Sequence, residues 1–218
     1  MHGEAETRNA PRVTWIVAHA LLTAAAVLIL LGGAGAAAGG DQGRRWLLAA
    51  FGIVLWMRMS GGAIWLLQRR FDWAEAIPVT LATALYQLGF TLLGAGNPSP
   101  LGLLDWLALF LFAAGSLLNT GSELQRYRFK RDPANRGRLY TAGAFSLVRH
   151  PNYAGDILWL SGWALLTRSW WAALIPVALA LSFAFFFIPQ LSGHLEQRYG
   201  DAYREWERRT KRLIPFIY

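Results

Sequence analysis

Five long stretches of this 218-residue chain carry almost no charge, which limits its fold more than any other feature. Residues 13–40, 76–96 and 169–193 contain none, 46–68 contain only Arg58, and 98–118 only Asp105. A helix crossing the roughly 30 Å hydrocarbon core of a bilayer needs about 20 apolar residues, and each run meets that length. With 55% hydrophobic residues and positive mean hydropathy, a soluble fold could not hide the apolar surface. A sixth run is different: only 11 residues separate Asp156 from Arg168. To cross, that helix must begin near Pro151 and so take in Asn152 and Asp156, polar groups that a membrane helix keeps when they face a partner, a cavity or a ligand. The expected fold is all-α, a polytopic membrane protein of six to seven transmembrane helices. Arg8 and Arg12 precede a first run too long for a cleaved signal, which is read as the first span.

Charge supplies the orientation. The net charge of +8 could suit nucleic acid, but the basic residues lie in the segments between the runs, as the positive-inside rule requires, so no nucleic-acid partner is expected. With six spans and both ends inside, 17 of the 21 Lys and Arg residues fall on the inner side. Only Arg44, Arg45 and Arg168 fall outside, and Arg58 lies within a span. The loop 119–150 and the tail from 191 then share the cytoplasmic face. Over 195–212 the tail is charged on several faces and carries Tyr199, Tyr203 and Trp206, the pattern of an interfacial helix. The chain has no cysteine, so thiolate catalysis and cysteine zinc sites are excluded, and no metal site is expected.

Candidate chemistry is concentrated on that inner side. Phe129-Lys130-Arg131-Asp132-Pro133-Ala134-Asn135-Arg136-Gly137-Arg138 places several cations in a segment that Pro and Gly keep in turns. Guanidinium forks and a lysine point charge suit phosphate oxygens; the same charges could equally set topology or touch anionic lipid. Further on, Arg149-His150-Pro151-Asn152-Tyr153-Ala154-Gly155-Asp156 has a proline suited to a helix's first turn. Asn152 and Asp156 lie four apart on one helical face, as do Asn119 and Glu123 before the basic loop. Carboxamide and carboxylate groups suit a ligand's carboxamide and ribose hydroxyls. The combination points to a nucleotide site built from membrane helices, since no dinucleotide or phosphate-loop glycine pattern is present.

These residues carry a resemblance. The run 119–156 resembles the C-terminal domain of the steroid 5-alpha-reductase family, where a Phe-basic-x-x-Pro-x-Asn-x-Gly loop precedes an Arg-His-Pro-Asn-Tyr-x-Gly-acid motif. The ending Arg209-Thr210-Lys211-Arg212-Leu213-Ile214-Pro215-Phe216-Ile217-Tyr218 looks like that of these enzymes and of the sterol C14 and C7 double-bond reductases. The resemblance covers about the last 100 residues. It implies NADPH in a cavity open to the cytoplasm and hydride transfer to a lipophilic enone. Residues 1–118 would form the substrate side and 119–218 the cofactor-binding region of a monomer in contact with membrane lipid. By similarity to the family motif, the cofactor contacts are Asn119, Glu123, Lys130, Arg138, Arg149, His150, Asn152, Tyr153, Asp156 and Tyr199. Steroid reductases also use a membrane-embedded glutamate and tyrosine at the substrate carbonyl. Here Met57 stands in the tyrosine's place and the first span has no acid, which leaves Glu75 and Tyr86 as candidates.

Two rival readings share part of the pattern. The Arg-His-Pro-x-Tyr-x-Gly motif and the Ile-Pro-Phe ending also resemble the isoprenylcysteine and phospholipid methyltransferases, which bind S-adenosylmethionine. Their tail carries a Glu-Glu pair where this chain has Leu191 and Ser192. A non-enzymatic membrane protein that binds a sterol-like lipid is the other.

Overall fold

In a computed structural model, residues 2–33, 37, 39–67 and 69–215 are described, with side chains described from residue 9 onward. Helices dominate: α1 (His2–Leu31), α2 (Gln42–Gly61), α3 (Trp73–Ala84), α4 (Phe90–Gly94), α5 (Leu103–Arg131), α6 (Ala144–Leu147), α7 (Pro151–Thr167), α8 (Leu174–Ser182), α9 (Ile188–Tyr199) and α10 (Asp201–Arg209). Single π-helical turns continue α2 (Gly62–Leu66), join α3 to α4 (Leu85–Gly89) and join α8 to α9 (Phe183–Phe187). Among the described residues the one β-type pairing is an isolated parallel bridge between Val148 and Lys211.

Five helical stretches are long and apolar enough to cross a membrane: Asn9–Leu31, Gln42–Leu66, Trp73–Gly94, Leu103–Arg131 and Trp170–Tyr199. These correspond to the five runs of little or no charge, and the chain is an all-α, polytopic membrane protein. The expectation of six to seven spans is met only as far as five. The sixth apolar helix, α7, begins at Pro151 as its sequence suggests; its 17 residues include Asp156 and lie at the lower end of the length that crosses a bilayer. Large apolar side chains stand exposed along the spans, among them Leu21, Trp65, Trp106, Phe110 and Phe186. In water such a surface would be an aggregation site, whereas in lipid it is the solvated face.

Two compact units divide the chain: Met1–Leu109 with Trp163–Ala173, and Phe110–Gly162 with Leu174–Tyr218. The division falls in the first third of α5 and the last third of α7, while the boundary drawn from sequence at 118/119 lies near the middle of α5.

In the first unit, aspartates open two helices: Asp41 accepts from the Arg44 amide (2.8 Å) and Asp72 from the Glu75 amide (3.1 Å). Trp15, Ala63, Phe71 and Ala76 form one buried cluster, and Trp163 packs against Phe51 and Phe90. The charge inside the fourth run, Asp105, is the centre of a buried ion-pair network. Arg44, fully buried, donates from Nη1 to Asp105 Oδ1 (2.5 Å) and to the Leu166 carbonyl (2.6 Å), and from Nη2 to the Ser99 carbonyl (3.0 Å). Arg168 Nη2 donates to Asp105 Oδ2 (2.6 Å), which also accepts from the Gly102 amide (2.8 Å). Two of the three cations expected in outer loops are therefore tied to one carboxylate.

The second unit is built on a close approach of α5 and α7. A Cβ on Gly115 would lie 2.3 Å from the Trp159 amide nitrogen, and one on Gly155 would lie 2.6 Å from the Asn119 nitrogen. Only hydrogen side chains let these backbones meet so closely, the small-residue crossing familiar in membrane helices. The tail folds back on this pair. Arg149 N donates to the Lys211 carbonyl (2.7 Å) and His150 N to the Arg212 carbonyl (3.0 Å). Helix α10 lays Tyr203 and Trp206 against Phe145, and Trp206 Nε1 donates to the Phe145 carbonyl (3.0 Å). The aromatic residues at 203 and 206, which suggest a membrane-surface helix in the sequence, are 1% and 3% exposed, so protein rather than lipid covers them.

Candidate functional site

The second unit contains a small cavity of about 70 Å³, open on one side. Helix α5 supplies Arg126 and Lys130, the segment before α7 supplies Arg149 and His150, α7 supplies Asn152, and Leu191, Leu195 and Tyr199 of α9 complete the wall with Leu139, Tyr140, Phe145 and Trp206. Three cations and no carboxylate line it. Arg126 pairs with Glu123, and Arg149 with Glu207, both outside the lining. Lys130 has no hydrogen-bond or ion-pair partner among the described residues, which leaves its ammonium available to an anion.

Behind this wall the motif residues are held rigidly. Asn119 Nδ2 donates to the Asn152 carbonyl (3.1 Å) and to Asp156 Oδ1 (2.8 Å), and the same oxygen accepts from Trp159 Nε1 (2.8 Å). Asn119 and Asp156 thus join α5 to α7 beside the Gly115–Gly155 contact. Tyr153 is stacked between His150 (5.4 Å) and Phe183 (4.1 Å), a packing position for its ring. Arg149 is 5% exposed and donates to the Tyr203 hydroxyl (3.0 Å), with the guanidinium 5.9 Å from that ring's centroid. Its Nε and the Nε2 of His150 are buried without a partner, polar atoms that a bound anion or hydroxyl would satisfy.

Of the ten residues expected at the cofactor, Lys130, Arg149, His150, Asn152 and Tyr199 line the cavity; Asn119, Glu123, Tyr153 and Asp156 support it; Arg138 is exposed. Arg138 follows Gly137, whose φ of +79° makes the turn that ends the basic loop. Sequence reasoning missed Arg126, although its spacing gives it away: residues 119, 123, 126 and 130 follow a 4-3-4 pattern and share one face of α5. It also missed Tyr140, Phe145 and Trp206, brought in by tail and loop packing that no local pattern announces.

Glu75 and Tyr86 belong to the first unit. Glu75 sits in the first turn of α3 in a bidentate pair with Arg69 (2.5 and 2.6 Å), and Tyr86 is half-buried in the π-helical turn Leu85–Gly89. Eleven residues at about 1.5 Å each put them roughly 16 Å apart along the helix axis, too far to act together on one carbonyl oxygen.

Burial holds the His150 imidazole well below its ordinary value, to about 4, with the nearby Arg149, Arg212 and Arg126 charges adding to the effect. The ring is therefore neutral at physiological pH. Because the unfolded chain takes up this proton near pH 6.5 and the folded one only near 4, stability rises with pH between those values and is lost as pH falls through them. His150→Gln should flatten that part of the profile in melting temperatures recorded from pH 4 to 7; an unchanged slope would assign it to other groups.

Residues 56–210, about 71% of the chain, match the model of a family described as "Protein of unknown function (DUF1295)". The chain belongs to the DUF1295 family. Curated relatives of this DUF1295 chain fall into two chemical groups. A probable O-methyltransferase, ustE, of Ustilaginoidea virens is 49% identical over 55 residues, which is 25% of this chain and 19% of that protein. The Delta(14)-sterol reductase TM7SF2 of Mus musculus is 29% identical over 140 residues (56% of this chain, 33% of that protein). The human 3-oxo-5-alpha-steroid 4-dehydrogenase 2 is 30% identical over 115 residues (51% and 42%). This DUF1295 chain spans less than half the length of each of these three proteins.

Proposed function

We propose that this protein is a membrane-embedded, NADPH-dependent reductase of a lipophilic enone, with its cofactor side facing the cytoplasm. The observation that carries this reading is the charge of the cavity in the second unit: Arg126, Lys130 and Arg149 with no carboxylate in the lining. Such a wall suits phosphate oxygens and opposes a sulfonium cation, the reactive group of S-adenosylmethionine. The fit is that of one anionic group, since about 70 Å³ admits a phosphate and leaves the rest of a dinucleotide outside the described cavity.

Each group then has a task. Lys130 and Arg126 hold phosphate, with Arg138 at the rim. Asn152, fixed through its carbonyl by Asn119, offers its side-chain amide to the cofactor, and the buried Nε2 of His150 and Tyr199 bind its hydroxyls. Asp156 keeps α5 and α7 in register through its Oδ1, which is engaged by Asn119 and Trp159. Bound NADPH would supply the hydride.

Methyl transfer from S-adenosylmethionine is the second reading, favoured by the 49% identity to the probable O-methyltransferase. Against it, the position matching one glutamate of the methyltransferase pair is Leu191, an apolar wall of the cavity.

Thermal shift of the detergent-purified protein with NADPH and with S-adenosylmethionine separates the two, since a ligand bound only by the folded state raises its stability. NADPH should stabilise the wild type, and Lys130→Ala should weaken its affinity about 10- to 100-fold, the loss expected of a charge-assisted contact. Stabilisation by S-adenosylmethionine alone would replace this reading with the second.

A further inference from the structure

Within the first unit a cluster of polar side chains lies among the spans, apart from any residue assigned above. His19 and Gln87 are fully buried and Thr23 is 5% exposed. Gln87 Nε2 lies 2.9 Å from Thr23 Oγ1, 3.0 Å from the Gly52 carbonyl and 3.2 Å from His19 Nε2. An amide NH₂ is only a donor, so the Nε2 facing it must be the unprotonated nitrogen of a neutral imidazole, and the proton sits on Nδ1. That Nδ1–H is buried and has no partner. The other end of the amide, Gln87 Oε1, is buried and unpartnered as well. Thr23 cannot serve Oε1, because its hydroxyl hydrogen goes to the His19 carbonyl (2.8 Å).

Two features mark this as more than a helix-to-helix tie. A polar tie between membrane helices gains by pairing its donors and acceptors, yet here one donor and one acceptor are left over. Gln87 also stands in the π-helical turn Leu85–Gly89, a local widening of the helix found often at functional sites. Glycine at 52 makes room for it, since a Cβ there would lie 2.6 Å from Gln87 Oε1. Ionisable side chains held inside spans mark ligand or ion pathways more often than structure.

We infer that His19, held in place by Gln87, binds the oxygen of a lipophilic substrate, the carbonyl accepting from His19 Nδ1–H inside the membrane. This deepens, and rests on, the reductase reading, and it gives the carbonyl a polarising donor. A neutral imidazole N–H can play that electrophilic part. The indole of Trp15, 5.8 Å from the His19 ring, provides a nearby optical reporter.

The test is binding of a 3-keto-4-ene steroid and of its 3-deoxy analogue, followed by tryptophan fluorescence on the purified full chain without cofactor. The wild type should bind the ketone at least tenfold more tightly than the analogue. His19→Phe keeps a ring against Trp15 and should abolish that preference, while His19→Asn, whose Nδ2 can stand near the lost Nδ1, should keep most of it. Melting curves of the same variants and NADPH binding to His19→Phe provide the separation. A variant that keeps its fold, NADPH affinity and ketone preference overturns the inference, as does a wild type indifferent to the oxygen. Ketone binding without any NADPH response would instead count against the reductase reading alone.

Discussion

Asp105→Ala is expected to destabilise the protein by about 3–5 kcal/mol, the usual cost of removing one partner from a buried ion pair. Arg44 is fully buried, and its Nη1 reaches Asp105 Oδ1 at 2.5 Å. Without the carboxylate this guanidinium keeps its carbonyl partners, Leu166 and Ser99, but has no counter-charge, and Arg168 loses its counter-ion too. For a chain of this length a loss of that size lowers the melting temperature by about 10 °C. The pair Arg69–Glu75 is the natural control. Its side chains are 62% and 31% exposed, so Glu75→Ala should cost under about 1 kcal/mol. Melting of both variants in detergent checks the contrast, and comparable small losses would show that Arg44 finds solvent when Asp105 is gone.

Gly115→Ala should have the next largest effect, about 3 kcal/mol, at the upper end of what an added methyl costs in a filled core. The new Cβ would lie 2.3 Å from the Trp159 nitrogen and 2.6 Å from the Gly155 carbonyl oxygen. Both are backbone atoms, so no side chain can swing away and α5 must part from α7. One turn along, the bonds from Asn119 to the Asn152 carbonyl and to Asp156 would stretch, loosening the cavity wall as well as the fold. The same substitution at Gly121, on the same helix, meets nothing within 4 Å. There it should stabilise by up to about 1 kcal/mol through helix propensity. Opposite signs at 115 and 121 in thermal melts are the expected result; equal effects would mean that the crossing yields easily.

Much of the candidate site was legible because its residues are neighbours on one helix or in one short segment. The four-residue spacings of Asn119 with Glu123 and Asn152 with Asp156, the cations of 130–138, and Pro151 as a helix opener are local patterns, and α7 does begin at that proline. What those patterns could not tell is which member faces a ligand and which faces another helix. Asp156 reads as a cofactor carboxylate in the sequence, and its Oδ1 also holds Asn119 and Trp159. Trp206 reads as a membrane anchor and is instead a buried wall of the cavity.

By itself the sequence determined that this chain lives in a membrane and where its five spans run, because hydropathy over about 20 residues is a local sum that the bilayer reads directly. It also placed the basic motifs between those spans. Only the tertiary structure decided which charges meet. Asp105 finds Arg44 and Arg168, 61 and 63 residues away, and the tail at 211–212 lies along 149–150. Such pairings depend on which helices are neighbours, and an apolar helix carries the same hydropathy whichever partner it packs against.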